Sequence, residues 1–198
     1  MSIPKYPPNT VRSLLSTDYV TDVTRQVLTE RLSAPSRQPE FFSAAEYSLL
    51  ETVCHRLIPQ DDGLQIIEIW GSIDDRLAEN KSNGWRYDTM PTDHEAYRRG
   101  LAGLEESAQG LFQQPFQRLS SDQQDHILSL VQTGDAPGDT WKTMPSERFF
   151  EEMLAEAVEN YYSHPLVQEM IGYVGMADQP AWNRLGLNNL EDREPRQI

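Results

Sequence analysis

Two capping boxes are the feature of the sequence that most constrains its fold. Ser43 with Glu46 forms the first box and Ser120 with Gln123 the second, and apolar residues at spacings of three and four follow each of them. In such a box the two side chains satisfy each other's free backbone N–H groups at a helix start. Apolar residues at this spacing line one face of a helix, whereas a half-buried strand would alternate. The pattern therefore predicts helices.

The helical pattern continues over most of the chain. We expect a helix from Asp18 to about residue 32 with Val20, Val23 and Val27 on one face, and another around residues 66–77. Thr92 is the expected N-cap of a further helix, with Glu95 at the third position. A long helix should begin near Pro145, followed by a short one at 166–171.

No convincing pair of strands and no internal repeat interrupts this pattern. The predicted class is all-α, an irregular bundle of about six helices with an extended N-terminal arm and a long irregular C-terminal tail. We expect the arm at 1–17, because three of its residues are prolines, which favour extended backbone. The helical domain should cover 18–171, and the tail 172–198, which is rich in glycine, proline and asparagine.

Charge and hydropathy exclude several functional classes. The chain has 17 basic and 31 acidic residues, a formal net charge of −14. An excess of negative charge repels nucleic acid and anionic membranes, so neither is an expected partner. No stretch approaches the roughly 18 apolar residues of a membrane span. The start of the chain has neither an apolar signal run nor twin arginines, so we expect the cytoplasm, or the periplasm if the chain is exported with a partner.

The sequence contains no recognisable catalytic motif. There is no dinucleotide-binding glycine motif, P-loop, nucleophile elbow or HExxH sequence. Glu51 precedes His55 by four positions, whereas a carboxylate-bridged metal pair uses Glu-x-x-His on two helices. Cys54 lies on an apolar helical face, where a thiol is a core residue. We therefore predict no catalytic, cofactor-binding or metal-binding residue in this chain.

The remaining histidines are also given structural roles. His94 and His126 fall in first turns of predicted helices beside acidic residues, so we expect them to be solvated. His164 precedes Pro165 at a helix end, where it is expected to hydrogen-bond a free carbonyl group.

The C-terminal tail is the expected working surface. It contains too many apolar and aromatic residues for a disordered segment, so it should pack on the chain itself or on another protein. Buried aromatic side chains dominate protein interfaces. The predicted partner-binding residues are Tyr6 in the arm and Tyr173, Met176, Trp182, Leu185 and Leu187 in the tail.

The order of several short motifs resembles that of the gluconate 2-dehydrogenase subunit 3 family. The motifs run over about residues 40–186 and lie at packing and turn positions. They are Phe41-Phe42-Ser43, Arg56-Leu57-Ile58-Pro59, Tyr97-Arg98-Arg99-Gly100-Leu101, Phe116-Gln117-Arg118-Leu119-Ser120, Tyr161-Tyr162-Ser163-His164-Pro165 and Ile171-Gly172-Tyr173-Val174-Gly175.

The resemblance implies a non-catalytic small subunit of a sugar or polyol dehydrogenase. Its partner would be a large subunit of the glucose-methanol-choline oxidoreductase type that carries FAD, and some such complexes add a cytochrome c subunit or another electron acceptor. The small subunit would bind no cofactor itself and would assist folding, flavin loading or export. Two alternatives stay open: a free-standing helical protein that binds its own small ligand in an apolar pocket, and a metal-dependent enzyme.

Overall fold

The computed structural model describes residues 6–34, 37–60, 67–82, 84, 87–179, 182–184 and 186–198. Within these residues it contains eight α-helices, two short 3-10 helices and no strand, which confirms the predicted all-α class. The α-helices are α1 (Thr10–Leu14), α2 (Asp22–Ser33), α3 (Ala44–Leu57), α4 (Ile69–Ala78), α5 (Asp93–Phe112), α6 (Ser121–Thr133), α7 (Ser146–Tyr162) and α8 (Pro165–Ile171). The 3-10 helices are Phe116–Arg118 and Thr140–Lys142.

The chain divides into two compact units. The central unit is Ser36–Asn160. The terminal unit combines both ends of the chain, Met1–Pro35 and Tyr161–Ile198. Helix α1 lies within the segment that the sequence analysis treated as an extended arm.

The predicted capping boxes are confirmed at both positions. Ser43 begins α3 and accepts a hydrogen bond from Glu46 N, while the Glu46 side chain accepts from Ser43 N. Ser120 and Gln123 do the same at α6, and Gly134 ends that helix with φ of 82°. A cap of this kind contributes about 1 kcal/mol to helix stability.

The predicted cap at Thr92 is wrong in one respect. Thr92 is the N-cap residue of α5, but its side chain makes no capping hydrogen bond. The side chain of Asp93 instead accepts from the guanidinium of Arg76 at 2.7 Å. The first turn of α5 thus presents its carboxylate to a neighbouring helix.

The core of the central unit packs α3, α4, α5 and α6 on one another. Its largest fully buried side chains are Leu50, Ile69, Ile73, Leu77, Leu101, Leu104, Phe116, Ile127, Met144, Phe149 and Met153. Asp74 is also fully buried, and it accepts hydrogen bonds from the backbone N–H groups of Glu40, Phe41 and Phe42. A buried carboxylate thereby fixes the segment that leads into α3.

Candidate functional site

The irregular tail is packed on the N-terminal residues of the same unit. Val174, Met176 and Ala177 are buried in one hydrophobic cluster with the side chains of α1, α2 and the turn between them. The N-terminal members of this cluster are Val11, Leu14, Leu15, Val20 and Leu28. The two ends of the chain therefore share a core, and neither end could bury its apolar residues in this cluster without the other.

Glu169 joins α8 to the start of α1. Its carboxylate is buried and accepts from the backbone N–H groups of Asn9 and Arg12 at 3.1 and 2.9 Å. The Arg12 guanidinium adds two further bonds at 3.0 Å. Burial alone would raise the pKa of Glu169, but these hydrogen bonds and the charge of Arg12 outweigh it and lower the pKa. Glu169 supplies from a distant helix the cap that α1 lacks in its own sequence.

Asp178 performs a similar function at the start of α2. It accepts from the backbone N–H of Thr21 at 2.9 Å and from the hydroxyls of Thr21 and Thr24 at 2.8 and 3.1 Å. The hydrogen bonds from Thr21 lower the pKa of Asp178. The next residue, Gln179, donates its backbone N–H to Tyr19 O at 2.8 Å. The tail is thus fixed along the N-terminal half of α2.

His164 fixes the other end of α2. Its Nδ1 accepts from Leu166 N at the start of α8, and its Nε2 lies 3.1 Å from Arg31 O. Since Nδ1 accepts, the proton is on Nε2 and donates to that carbonyl, which is the kind of bond that the sequence predicted. Burial lowers the pKa of His164 and so favours this neutral form.

Two of the predicted partner-binding tyrosines lie directly against the backbone of a glycine. Gly172 ends α8 at φ of 68°, and a Cβ atom there would lie 2.5 Å from the ring of Tyr6. A Cβ atom on Gly175 would overlap the hydroxyl end of Tyr173. Tyr6 can pack against the backbone at Gly172, and Tyr173 at Gly175, because both positions lack a side chain. Tyr173 remains 50% exposed, so one side of its ring lies against Gly175 while half of the side chain faces solvent.

Arg193 makes several contacts with described residues of the tail and with the N-terminal segment. The Arg193 guanidinium lies over the rings of Trp182 and Tyr19, at 4.1 and 5.4 Å from their centres. Its Nη1 also donates to Gln179 O. Such cation–π contacts contribute about 0.5–2 kcal/mol each, more as the cation is desolvated. The described residues of the tail are therefore held by specific contacts although they form no regular secondary structure.

The structure places the predicted partner-binding residues at different depths. Met176 is buried, and Trp182 and Tyr6 are partly buried. Tyr173 is half exposed and Leu187 is 93% exposed. Leu185 lies outside the described residues. These positions share one unit, and their role in binding a partner stays a prediction.

Exposed apolar side chains are concentrated in the terminal unit. Ten large hydrophobic side chains are exposed among the described residues, and eight of them belong to this unit. These eight are Val23, Val27, Tyr162, Ile171, Tyr173, Leu187, Leu190 and Ile198. The unit is also nearly neutral: its two segments contain seven basic and eight acidic residues, against ten and 23 in the central unit. A partner protein could cover these exposed apolar side chains without meeting a large net charge.

The sequence predicted one common face for Val20, Val23 and Val27, and the structure buries only the first of them. Val20 is buried, whereas Val23 and Val27 are 75% and 40% exposed, and Leu28 is the buried residue of α2. The spacing does place the two valines on one face. Which face is buried depends on contacts with Asp178 and His164, more than 130 residues away in sequence.

A cavity of about 300 Å³ in the central unit is the other candidate site. It is lined by Arg76, Tyr87, Asp93, Tyr97, Glu151, Glu152, Ala155 and Glu156. Inside it the Arg76 guanidinium donates to both oxygens of Glu156 at 2.5 and 2.8 Å, and the Tyr97 hydroxyl donates to the same carboxylate. Burial and the adjacent carboxylate raise the pKa of Tyr97, so the phenol keeps its proton. These groups hold α4, α5 and α7 together. Their hydrogen-bonding capacity is taken up by one another and is not directed at a ligand.

The remaining polar residues give no sign of a metal or nucleophile site. Among the described residues no three His, Cys, Asp or Glu side chains are grouped so that they could hold a metal ion. Cys54 is fully buried, and burial raises the pKa of its thiol. His126 is exposed, but the expectation for His94 is wrong: its Nε2 lies 2.7 Å from Leu77 O and its ring stacks on Phe41.

Comparison with known proteins adds one match. A sequence model of the family described as Gluconate 2-dehydrogenase subunit 3 matches residues 44–176, more than half of the chain. Searches of curated proteins and of solved structures returned no match. No helix among the described residues has the length and hydropathy needed to cross a membrane. The matched range covers the central unit from the start of α3 and ends within the tail.

Proposed function

Because this chain belongs to the gluconate 2-dehydrogenase subunit 3 family, an accessory component of a dehydrogenase complex, we propose that it is a non-catalytic small subunit. In this proposal it binds and stabilises a large FAD-dependent sugar or polyol dehydrogenase of the glucose-methanol-choline type, and it assists the folding and flavin loading of that subunit. The FAD belongs to the partner, and this chain contributes no cofactor.

One observation carries the proposal: the concentration of exposed apolar side chains in the near-neutral terminal unit. A chain that worked alone would gain nothing from leaving these groups in water, whereas an obligate subunit buries about 2,000 Å² or more against its partner. Tyr173 fits this role best among the predicted residues, since its ring lies against Gly175 while half of its surface stays exposed. A rigid aromatic anchor loses little conformational entropy on binding.

The central unit has a different part in the proposal. Its net charge is −13, from the ten basic and 23 acidic residues counted above. Repulsion between such charges keeps chains from associating with one another before assembly. Its cavity is lined by four carboxylates and does not match the apolar pocket that a free-standing binder of a small ligand would need. Under this proposal the two subunits meet in the cytoplasm, before any export, and a cytochrome c or another acceptor joins the complex through the large subunit.

Co-expression with a large dehydrogenase subunit from the same organism tests the proposal. We expect a stable complex with the absorbance spectrum of bound flavin, and a lower flavin content when the large subunit is expressed alone. Tyr173→Ala should weaken the complex while leaving the melting temperature of the free chain nearly unchanged. Leu111→Ala on α5 is the matched control, because Leu111 is an exposed apolar residue of the central unit. The proposal fails if no complex forms, or if the large subunit loads flavin equally well alone.

A further inference from the structure

Helix α8 begins with a cap that can change its charge. The side chains that cap α2, α3 and α6 are the hydroxyls of Thr21, Ser43 and Ser120, which stay neutral in mild acid. At α8 the capping residue is His164, whose Nδ1 accepts from Leu166 N at 3.3 Å. Histidine is the side chain whose ordinary charge change falls between pH 5 and 8. The start of α8 is therefore held by a group that mild acid can protonate.

The two ring nitrogens of His164 have opposite roles. Nδ1 accepts from the Leu166 N–H, and Nε2 lies 3.1 Å from Arg31 O, a carbonyl that can only accept. The neutral ring with its proton on Nε2 is the form that fits both neighbours. A second proton would lie on Nδ1 and face the Leu166 N–H, so that two donors oppose each other. The bond to Arg31 O can survive this change, but the cap of α8 cannot.

The charges on α2 also oppose a second proton on the ring. Burial and the positive charge of Arg31 lower the pKa of His164, against the effect of its hydrogen bond to the Arg31 carbonyl. The Arg31 guanidinium is held beside the junction, because it donates to Ser163 O at 2.7 Å. Glu30, the neighbouring acid of α2, is exposed to solvent. Helix α2 therefore offers a buried imidazolium a cation and no buried carboxylate.

The other helices around His164 supply no counterion either. On α8 the acidic residue is Glu169, whose carboxylate is taken up by α1 through Arg12. On α7 the last acid is Glu159, which is exposed, and the residues nearest to the junction are Tyr161 and Tyr162, whose phenols are neutral in mild acid. Among the described residues of these helices, no carboxylate is placed to stabilise a charged His164.

We propose that His164 makes the α2–α8 junction, formed by Arg31, Ser163, His164 and Leu166, sensitive to mild acid. With the ring neutral the junction is closed. When the ring takes up a second proton, the Leu166 N–H loses its acceptor and a positive charge appears at the N-terminus of α8, where the helix dipole disfavours it. The first turn of α8 then opens. This response is a property of the chain alone and is independent of the proposed function.

The direction of the shift sets the pH range. A histidine whose pKa is lowered by folding contributes its full stability above its ordinary value of 6.5, and that contribution falls as the pH drops below 6.5. At pH 5.5 protonation favours the open junction by at most about tenfold relative to pH 8. Glu169 stays ionised at pH 5.5, because its pKa lies below 4.5. Opening in this range is therefore separate from any loss of the Glu169 contacts.

Nuclear magnetic resonance of the full chain tests the junction. Ring ¹⁵N spectra should show His164 as the neutral Nε2–H tautomer at pH 8. We expect the protection factor of the Leu166 amide, corrected for the intrinsic exchange rate, to fall about three- to tenfold between pH 8 and 5.5. His164→Asn should show no such fall, since asparagine caps a helix well and does not titrate. His126→Asn is the matched control, because His126 is an exposed histidine of the central unit, and it should behave as the wild type.

Three results would overturn the inference. The first is a His164 ring that already carries both protons at pH 6.5 or above. The second is a Leu166 protection factor that changes less than about twofold between pH 8 and 5.5. The third is an equal fall in His164→Asn, which would place the sensitive group elsewhere. Circular dichroism at pH 8 checks the helix content of this variant, and if it fails to fold, the ring spectra and the Leu166 amide of the wild type still decide.

Discussion

The buried carboxylate of Glu169 offers the sharpest test of how the terminal unit is held together. Each of its oxygens accepts two hydrogen bonds: Oε1 from Arg12 N and Nε, and Oε2 from Asn9 N and Arg12 Nη2. In Glu169→Gln the side chain keeps its size, but an NH₂ group replaces one of these oxygens. In either orientation of the amide, two donors then face another donor, and the ion pair with Arg12 is lost.

The expected magnitude follows from these contacts. A hydrogen bond to a charged group contributes about 1.5–3 kcal/mol. Arg12 is 44% exposed, so water can replace part of what its guanidinium loses, and the ion pair adds little. We expect α1 to be loosened by about 2 kcal/mol, which corresponds to roughly a 30-fold larger population of the locally open state.

Hydrogen exchange measured by mass spectrometry reports this opening directly. Amides of residues 9–15 should lose protection in Glu169→Gln, whereas α5 should not change. Glu159→Gln is the matched control, since Glu159 is an exposed glutamate. If residues 9–15 exchange at the wild-type rate in Glu169→Gln, the carboxylate does not hold α1 and the reasoning fails.

Acid should have the same effect as the substitution. The pKa of Glu169 is lowered below its ordinary value of 4.5 in the folded chain. A group with a lowered pKa contributes its full stability above the unfolded value and loses that contribution as the pH falls through the folded value. Protection of residues 9–15 should therefore fall below about pH 4.5 in the wild type, and this pH dependence should be weaker in Glu169→Gln.

Three further variants test other parts of the fold. Gly172→Ala should lower the melting temperature, because it places a side chain in the left-handed region and against the ring of Tyr6. Gly110 lies within a helix and faces open space, so Gly110→Ala should stabilise the protein by about 0.5–1 kcal/mol. Ser43→Ala should cost about 1 kcal/mol in urea denaturation, and Thr92→Ala much less, since only the serine side chain makes a cap. Glu156→Gln should cost about 1–3 kcal/mol in the same assay, because Arg76 and the buried Tyr97 hydroxyl lose their charged acceptor and Arg76 keeps only Asp93 as a carboxylate partner. An unchanged free energy of unfolding would show that the cluster does not stabilise the fold.

The sequence predicted what depends on nearby residues. The caps at Ser43 and Ser120 were correct because a capping box closes within four positions. Helix α1 was missed because the carboxylate that caps its first turn comes from Glu169, and the N-cap position itself is Asn9 at φ of 69° with no capping side chain. A local sequence pattern cannot predict a helix cap that is supplied by a residue so far away in the chain.

The candidate surface was predictable only in part. The apolar content of the tail identified its importance, and Tyr173 and Leu187 are exposed as a partner-binding role requires. Met176 was equally apolar, yet it lies in the core that the tail forms with α1 and α2. Hydrophobicity alone does not separate a residue that supports a surface from one that forms it. The same limit explains why Val20 is buried while Val23 and Val27 are exposed.

The shared core of the two chain ends also determines when the terminal unit can fold during synthesis. Arg12 and Glu169 are 157 positions apart, and ribosomes add about 5–20 residues per second. At roughly 10 residues per second, α1 and α2 therefore wait about 15 s for the residues that complete their core. The central unit can fold in that interval. The terminal unit cannot, because its C-terminal segment has not yet been synthesised. Translation products that stop before the tail would lack this folded surface and could not bind a partner through it.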